Sequence, residues 1–337
     1  MILRISFSAI LVISIVFFLV SFIETEENER IHGVCIVNPP RPIEAAKVGE
    51  LHAINAEWMA VIPYGFSRAG LPEVSFDHTG QWWGEKTDGN TELIKFGKQY
   101  GLKIMCKPHV WVRGQGWAGD FDLVSESEWQ KWEVMYMKYI LHHASAAEQL
   151  NVELFCIGTE YRIPARERPF FWRKLIQEVR KVYSGKVTYA ANWDNYEQIE
   201  WWDDVDVIGV DAYFPLVEAK DPSIDEIKNG WEPIKAKLEA FSAKWDKKIL
   251  FTEYGFQSID GATGNHWEVD KSTIAVNLQL QANAFDATFQ SLENENWFLG
   301  GFFWKWHFNI GTDDWYKKEW TPQNKPALEV ITKWYGK

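Results

Sequence analysis

Eight times along the chain a short apolar run, rich in Val, Ile, Phe and Tyr, is followed by a longer stretch with helical periodicity. The first run is Gly33–Val37, followed by Pro40 and an amphipathic stretch to Ile54, and the second is Trp58–Pro63. A polar loop carrying Trp82, Trp83 and Asp88 precedes a predicted helix over Thr91–Tyr100, and Leu102–His109 is the third run. Ser125 and Glu128 have the Ser-x-x-Glu spacing of a capping box and open a helix that reaches about Gln149. The fourth run, Val152–Glu160, leads to a helix over Arg168–Tyr183, and the fifth, Val187–Asn192, to a short helix around Tyr196–Trp202. Val205–Tyr213 is the sixth, followed by a helix over Ser223–Trp245, and Lys248–Gln257 contains the seventh. A helix over Asp270–Leu292 leads to the eighth, Phe298–Trp304, and Lys325–Tyr335 is the last helix. Uninterrupted apolar runs fit strands covered on both faces, as in a parallel sheet. Eight such units over roughly 300 residues make an α/β chain of the (β/α)8 TIM-barrel type. The competing doubly wound sheet needs a glycine-rich phosphate loop after its first strand, and here Asn38-Pro39-Pro40 occupies that place.

Residues 1–30 read as a separate segment and residues 31–337 as the barrel domain. After Arg4, residues 5–23 are apolar apart from a few serines, and Glu24-Thr25-Glu26-Glu27 begins a polar linker. That pattern is an export signal. It is also just long enough to span a bilayer of about 30 Å, so a cleaved signal peptide and an uncleaved membrane tether both stay open. Either places the domain outside the cytoplasm.

The formal charge of −12 and pI near 5.2 argue against nucleic acid and anionic lipid as partners, since a phosphate-binding surface needs the opposite sign. A neutral substrate is unaffected. The chain holds 20 Trp, and flat indole faces suit the apolar faces of sugar rings, although Trp129, Trp132 and Trp172 fall in helical patterns and belong to the core. Cys35, Cys106 and Cys156 each lie in an apolar run and read as buried hydrophobes rather than a disulfide or metal site. His142 and His143, adjacent on a helix, point about 100° apart and do not suit a shared metal. No metal and no cofactor are expected.

Two of the apolar runs end abruptly on a carboxylate, Phe155-Cys156-Ile157-Gly158-Thr159-Glu160 and Leu250-Phe251-Thr252-Glu253-Tyr254-Gly255-Phe256. In a barrel the active site is built at the C-terminal strand ends. The other unusual polar or aromatic residues fall there too: His109, Asn192, Asp211, Tyr213 and Trp304. A structural account would pair Glu160 with Arg162 or Arg166, and Glu253 with a base at a neighbouring strand end.

Glutamates closing strands four and seven are the signature of the clan A retaining glycoside hydrolases. The two phrases quoted above, with Lys107-Pro108-His109 and Asp211-Ala212-Tyr213, resemble glycoside hydrolase family 113, whose characterised members are β-1,4-mannanases; the resemblance covers residue 31 to the C-terminus. It implies hydrolysis of a β-linked oligo- or polysaccharide by double displacement, with Glu160 as acid/base and Glu253 as nucleophile. Tyr213 would hydrogen-bond the nucleophile, with core packing as the alternative. His109 and Asn192 would be polar contacts, Asp211 a substrate-binding residue, and Trp304, Trp193 and Trp111 sugar platforms. Trp82, Trp83 and Trp117 read equally as loop anchors. Most clan members carry Asn before the acid/base, where it binds the sugar 2-hydroxyl; here the residue is Thr159. A β-glucanase or xylanase of the same clan remains the nearest rival, and a surface glycan-binding barrel without turnover is the alternative of another class. Strand alternation predicts that Trp304 and Trp306 face the same side.

Overall fold

In the computed structural model, which describes residues 30–115, 117–265, 273–310 and 314–337, eight parallel strands close into a barrel. They are β1 (Ile31–Ile36), β2 (Trp58–Val61), β5 (Lys103–Cys106), β7 (Leu154–Thr159), β8 (Lys186–Asn192), β9 (Val207–Asp211), β10 (Ile249–Tyr254) and β11 (Phe298–Trp306). β11 pairs back with β1, so the barrel has no free edge. The remaining three strands, β3 (Tyr64–Arg68), β4 (Leu71–Ser75) and β6 (His109–Arg113), form a small sheet of their own. It grows directly out of the barrel. β2 stops before Pro63 and resumes as β3, β5 stops before Pro108 and resumes as β6, and β3 and β6 stay parallel. A proline has no N–H for the ladder, so each strand breaks there and continues in a new direction over the barrel mouth.

Inward and outward residues alternate along the strands. Cys35, Ala60, Met105, Leu250 and Phe302 fill the interior as one apolar cluster, while their neighbours Val34, Met59, Ile104, Phe251 and Phe303 belong to the larger outer layer under the helices. That outer layer takes most of the aromatic content. Trp132, Trp172, Trp201, Trp202 and Trp231 are fully buried in it, and Trp172 stacks on Trp201 with ring centroids 5.2 Å apart. All three cysteines are free and buried.

The long helices begin where their caps say. Ser125 caps Glu126–Gln149 with Glu128 reciprocating, and Ser223 does the same with Glu226 for Ile224–Trp245. Several expectations need correction. The stretch after β2 is a hairpin, β3 and β4, rather than a plain polar loop, and the helix after it runs Thr87–Gln99, taking in Asp88. The helix after β1 is a short turn, Ala45–Gly49, continued as 3-10 helix to Ile54, and residues around Tyr196–Trp202 form two 3-10 turns. The helix expected from Asp270 begins at Leu278, because the Asn277 side chain accepts from Leu280 N and caps it there; the start of the expected helix lies outside the described residues. So do residues 5–23. Among the described residues no helix is long and apolar enough to cross a membrane.

Candidate active site

Glu160 and Glu253 face into one cleft at the C-terminal mouth of the barrel, together with Thr159, His109, Trp111, Tyr213 and Trp304. The β3–β6 rim sheet forms one wall through Tyr64, His109 and Trp111; the loops after β6 and β11 add Trp117 and Trp320. Trp111, on the outer strand of that rim, is 58% exposed, the degree expected of an indole that offers its face to a ligand.

The two carboxylates have unlike surroundings. Glu160 follows the last residue of β7 with its backbone in the left-handed region, φ 52°. A non-glycine residue held there costs about 1–2 kcal/mol, and the neighbouring strand enforces it: Glu160 N donates to Ala190 O at 2.8 Å. Its Oε2 accepts a single indole N–H, from Trp117 at 2.7 Å. Arg162 does not pair with it; that guanidinium lies 4.8 Å above the Trp117 ring and bonds Asp120, while Arg166 bonds Glu167. Burial, reinforced by the nearby negative charges of Asp211 and Glu253, pushes the Glu160 carboxyl well above the ordinary carboxylate range.

Glu253 instead accepts from two strong donors. Lys107 Nζ lies 2.5 Å from Oε1, and the Tyr213 hydroxyl donates to Oε2 at 2.7 Å. Lys107 is the strand-end base that a structural reading asks for, and it is shared: the same ammonium sits 2.9 and 3.1 Å from the two oxygens of Asp211. Attraction to the two carboxylates outweighs burial and raises the lysine further, so it stays charged. Burial first, then the charge of Glu253, raises Tyr213 well above its usual value, so its hydroxyl remains a donor. Burial and the positive charge of Lys107 lower His109 well below the usual imidazole range. A neutral His109 beside Glu253, its Nε2 3.5 Å from Oε1, is suited to a hydroxyl of a bound ligand rather than to an ion pair.

Three expected contacts are not among the residues that line the cleft around the two glutamates. Asp211 is wholly enclosed, with Lys107 and Thr252 Oγ1 (2.7 Å) on its oxygens, so it supports Glu253 from behind instead of reaching a ligand. Asn192 ends β8 with its amide turned to Asp194 at 3.0 Å. One residue on, Trp193 packs beside Phe214, ring centroids 6.0 Å apart. Trp304 and Trp306 do not share a side either. β11 slips against β1 between them, Cys35 pairing with Trp304 and Ile36 with Trp306; the extra residue sends Trp304 inward and Trp306 out beneath the helix Pro326–Tyr335. Conversely, Lys107, Trp117, Tyr64 and Trp320 also bear on the site, although the sequence reads Trp117 equally as a loop anchor and gives the other three no role of their own. For Lys107 a signal existed: a lysine inside an apolar run must meet a counter-charge if buried.

Among the described residues no group of three or more His, Cys, Asp or Glu side chains could hold a metal ion. The cleft offers two carboxylates with unlike hydrogen-bond partners, neutral hydroxyl and imidazole groups, and indole faces.

Solved structures with the same fold include the GH113 β-mannanase of Alicyclobacillus acidocaldarius in complex with ManMIm, at 24% identity and TM-score 0.79 over 91% of this chain and 97% of that one. A GH113 β-1,4-mannanase aligns at 29% identity and TM-score 0.78, covering 91% of this chain and 99% of its own. A β-glucuronidase of Ruminococcus gnavus shares the fold at 13% identity and TM-score 0.63, over 91% of this chain and 50% of that one. No curated protein sequence matches the chain. The family model of glycoside hydrolase family 113 matches residues 43–325. Because that match takes in every barrel strand from β2 to β11, the chain belongs to glycoside hydrolase family 113 and is a glycoside hydrolase.

Proposed function

We propose that the chain cleaves β-1,4-mannosidic bonds in mannan or glucomannan with retention, Glu160 acting as acid/base and Glu253 as nucleophile. The observation that carries this reading is the contrast between the two carboxylates: one half-buried with a lone indole donor, the other held by an ammonium and a phenol. Retention needs one carboxyl protonated and one ionised, about 5–5.5 Å apart. Glu160, pushed toward its acid form by burial and neighbouring negative charge, gives its proton to the leaving glycosidic oxygen. Glu253 attacks the anomeric carbon as that bond breaks. Once the ester has formed, Glu253 no longer carries charge, Glu160 is less disfavoured as an anion, and it can take a proton from the water that releases the sugar. Thr159 lines the cleft beside Glu160, with its hydroxyl 3.4 Å from Pro108 O. It occupies the place from which the 2-hydroxyl, the group that separates mannose from glucose, would be read.

Reducing-sugar release from mannan, glucomannan, cellulose, β-glucan and xylan by the purified chain tests the substrate. Preference for the mannans supports the proposal, and cleavage confined to the glucans or xylan overturns it. Glu253→Ala is expected to be inactive and to yield an inverted glycosyl azide in azide. Glu160→Ala is expected to keep substrates with good leaving groups and to give a retained azide. The opposite pattern would exchange the roles. A chain that binds these glycans and releases nothing would be a binding barrel.

A further inference from the structure

Behind the cleft, one cation faces two carboxylates. Lys107 and Asp211 have no exposed surface, Glu253 is 6% exposed, and Thr252 closes the remaining side of Asp211 through its hydroxyl. A buried one-to-one ion pair is a common structural feature, often near neutral for stability. Here the count does not balance. Among the described residues, Lys107 and His109 are the only bases within ion-pair distance of Glu253, and Lys107 alone reaches Asp211. The imidazole is held neutral by its burial and by Lys107. The other titratable groups around the cluster, Cys35, Cys156, Tyr64 and Tyr213, are all raised by burial and stay neutral. Burial and the charge of Glu253 raise the Asp211 carboxyl to about 7, below the value of about 8 to which Glu160 is raised. Over the range in which Glu160 titrates, with Glu253 and Asp211 both ionised, the floor of the cleft thus carries one excess negative charge, directed toward Glu160. Removing Asp211 would cancel that excess; removing Lys107 would double it.

We infer that Lys107 and Asp211 are a pair of positioning residues that fix the net charge beneath both cleft glutamates: the ammonium favours an ionised Glu253, and Asp211, by sharing that ammonium, preserves the negative charge that keeps Glu160 protonated. This rests on the reading of Glu160 as acid and Glu253 as nucleophile. It assigns Asp211 a task that a salt bridge alone would not need. Were Lys107 matched to Glu253 alone, the nucleophile would be over-stabilised and the acid would ionise too early. Ester formation at Glu253 leaves Lys107 and Asp211 balanced one to one, so the same pair relieves the excess charge at the point where Glu160 must change from acid to base.

The signs give a test that structural roles would not reproduce. In the free protein, carboxyl NMR titration of 13C-labelled Glu160, assigned by the signal missing in Glu160→Gln, reads its ionisation directly. Asp211→Asn is expected to move that midpoint down by at least about one pH unit and Lys107→Met to move it up, since the negative charge of Asp211 raises the Glu160 carboxyl and the positive charge of Lys107 lowers it. The double variant Lys107→Met/Asp211→Asn restores a single negative charge and is expected to return the midpoint to within a few tenths of a pH unit of the parent. Should Lys107→Met fail to fold, Asp211→Asn and the double variant still decide: the double must lie closer to the parent than the single. Asp211→Asn is also expected to lower kcat by at least about tenfold with little change in KM, since a nucleophile bound more tightly to its lysine attacks more slowly. Folded variants whose Glu160 midpoints stay unmoved, or move in the same direction, would overturn the inference. The titration uses no substrate, so failure to cleave mannan would sink the proposed specificity and leave this result standing on its own.

Discussion

Trp117 offers a perturbation whose sign and size follow from the geometry. Its indole N–H donates to Glu160 Oε2 at 2.7 Å, its ring lies under the Arg162 guanidinium, and its edge packs so closely on Gly119 that a Cβ there would fall 2.3 Å from the indole. Trp117→Phe keeps a ring in that slot and deletes the donor. A hydrogen bond to an ionised group contributes about 1.5–3 kcal/mol, part of which persists when the carboxyl is protonated, because the neutral acid also accepts. A difference of about 1.4 kcal/mol remains, equivalent to about one pKa unit. The direction is set by which form the N–H favours. It stabilises the anion and so opposes burial, which has already pushed Glu160 up to about 8. Deleting it raises the pKa further, and the proton-donating form survives to higher pH. The alkaline limb of kcat/KM on a manno-oligosaccharide is therefore expected to move up by about one pH unit in Trp117→Phe, while the acid limb stays in place. Thermal melting should change little, since a cation over a ring is weak at a partly exposed site, about 0.5–1 kcal/mol. An alkaline limb that stays put, or moves down, in a folded variant refutes the claim that this N–H tunes Glu160.

Trp304→Ala is expected to reduce kcat/KM by at least about tenfold, a loss of about 1.4 kcal/mol in transition-state binding, with the fold intact; Trp306→Ala, beneath the last helix, should instead lower stability by about 3–5 kcal/mol and leave the rate of folded protein near normal. Tyr213→Phe removes the hydroxyl 2.7 Å from Glu253 Oε2 and should slow ester formation by roughly 10–100-fold, the kinetic equivalent of one charge-assisted hydrogen bond; unchanged single-turnover rates would assign Tyr213 to packing. A chain beginning near Arg30 is expected to be soluble and fully active, because the first barrel strand starts at Ile31; insolubility or inactivity would assign the preceding segment to the fold.

Much of the barrel is legible in the sequence because each strand is buried on both faces, so apolar runs such as Leu154–Ile157 and Val207–Val210 stand out against the amphipathic helices between them. Glu160 and Glu253 are legible for the converse reason: a carboxylate ending such a run has no place in its interior. What is missed is non-local. Lys107 looks like any strand-end lysine until Asp211, 104 residues away, and Glu253, 146 residues away, are brought to it. Trp117 gains its role only because its loop crosses Glu160, and the β3–β4 hairpin is hidden by the polar Gln81 region that follows it. Asp211, Asn192 and Trp193 are at strand ends as expected, yet the strand end alone does not say which way a side chain turns.

Direction is set by register, and three of the strands that supply the cleft slip at the point where it matters. Along β10, Leu250 belongs to the barrel interior and Phe251 to the outer layer, so strict alternation would put Thr252 inside and Glu253 outside. Phe251 pairs with Val210 and Glu253 with Asp211, two steps on β10 against one on β9. The extra residue is a bulge, which re-aims the side chain that follows it. Thr252 reaches Asp211 and Glu253 still turns inward to Lys107. β7 does the same against β8, three steps between Cys156 and Thr159 against two between Thr188 and Ala190, immediately before Glu160. β11 slips against β1 just after Trp304. Below these bulges the strands keep the regular alternation that packs an apolar interior of Cys35, Ala60, Met105, Leu250 and Phe302. That interior excludes water from under Lys107, Asp211 and Glu253, so their charges act on Glu160 through a medium of low effective dielectric. The regular part of each strand supplies the environment that makes the charges count, and the one-residue irregularity at its tip delivers the charges to it.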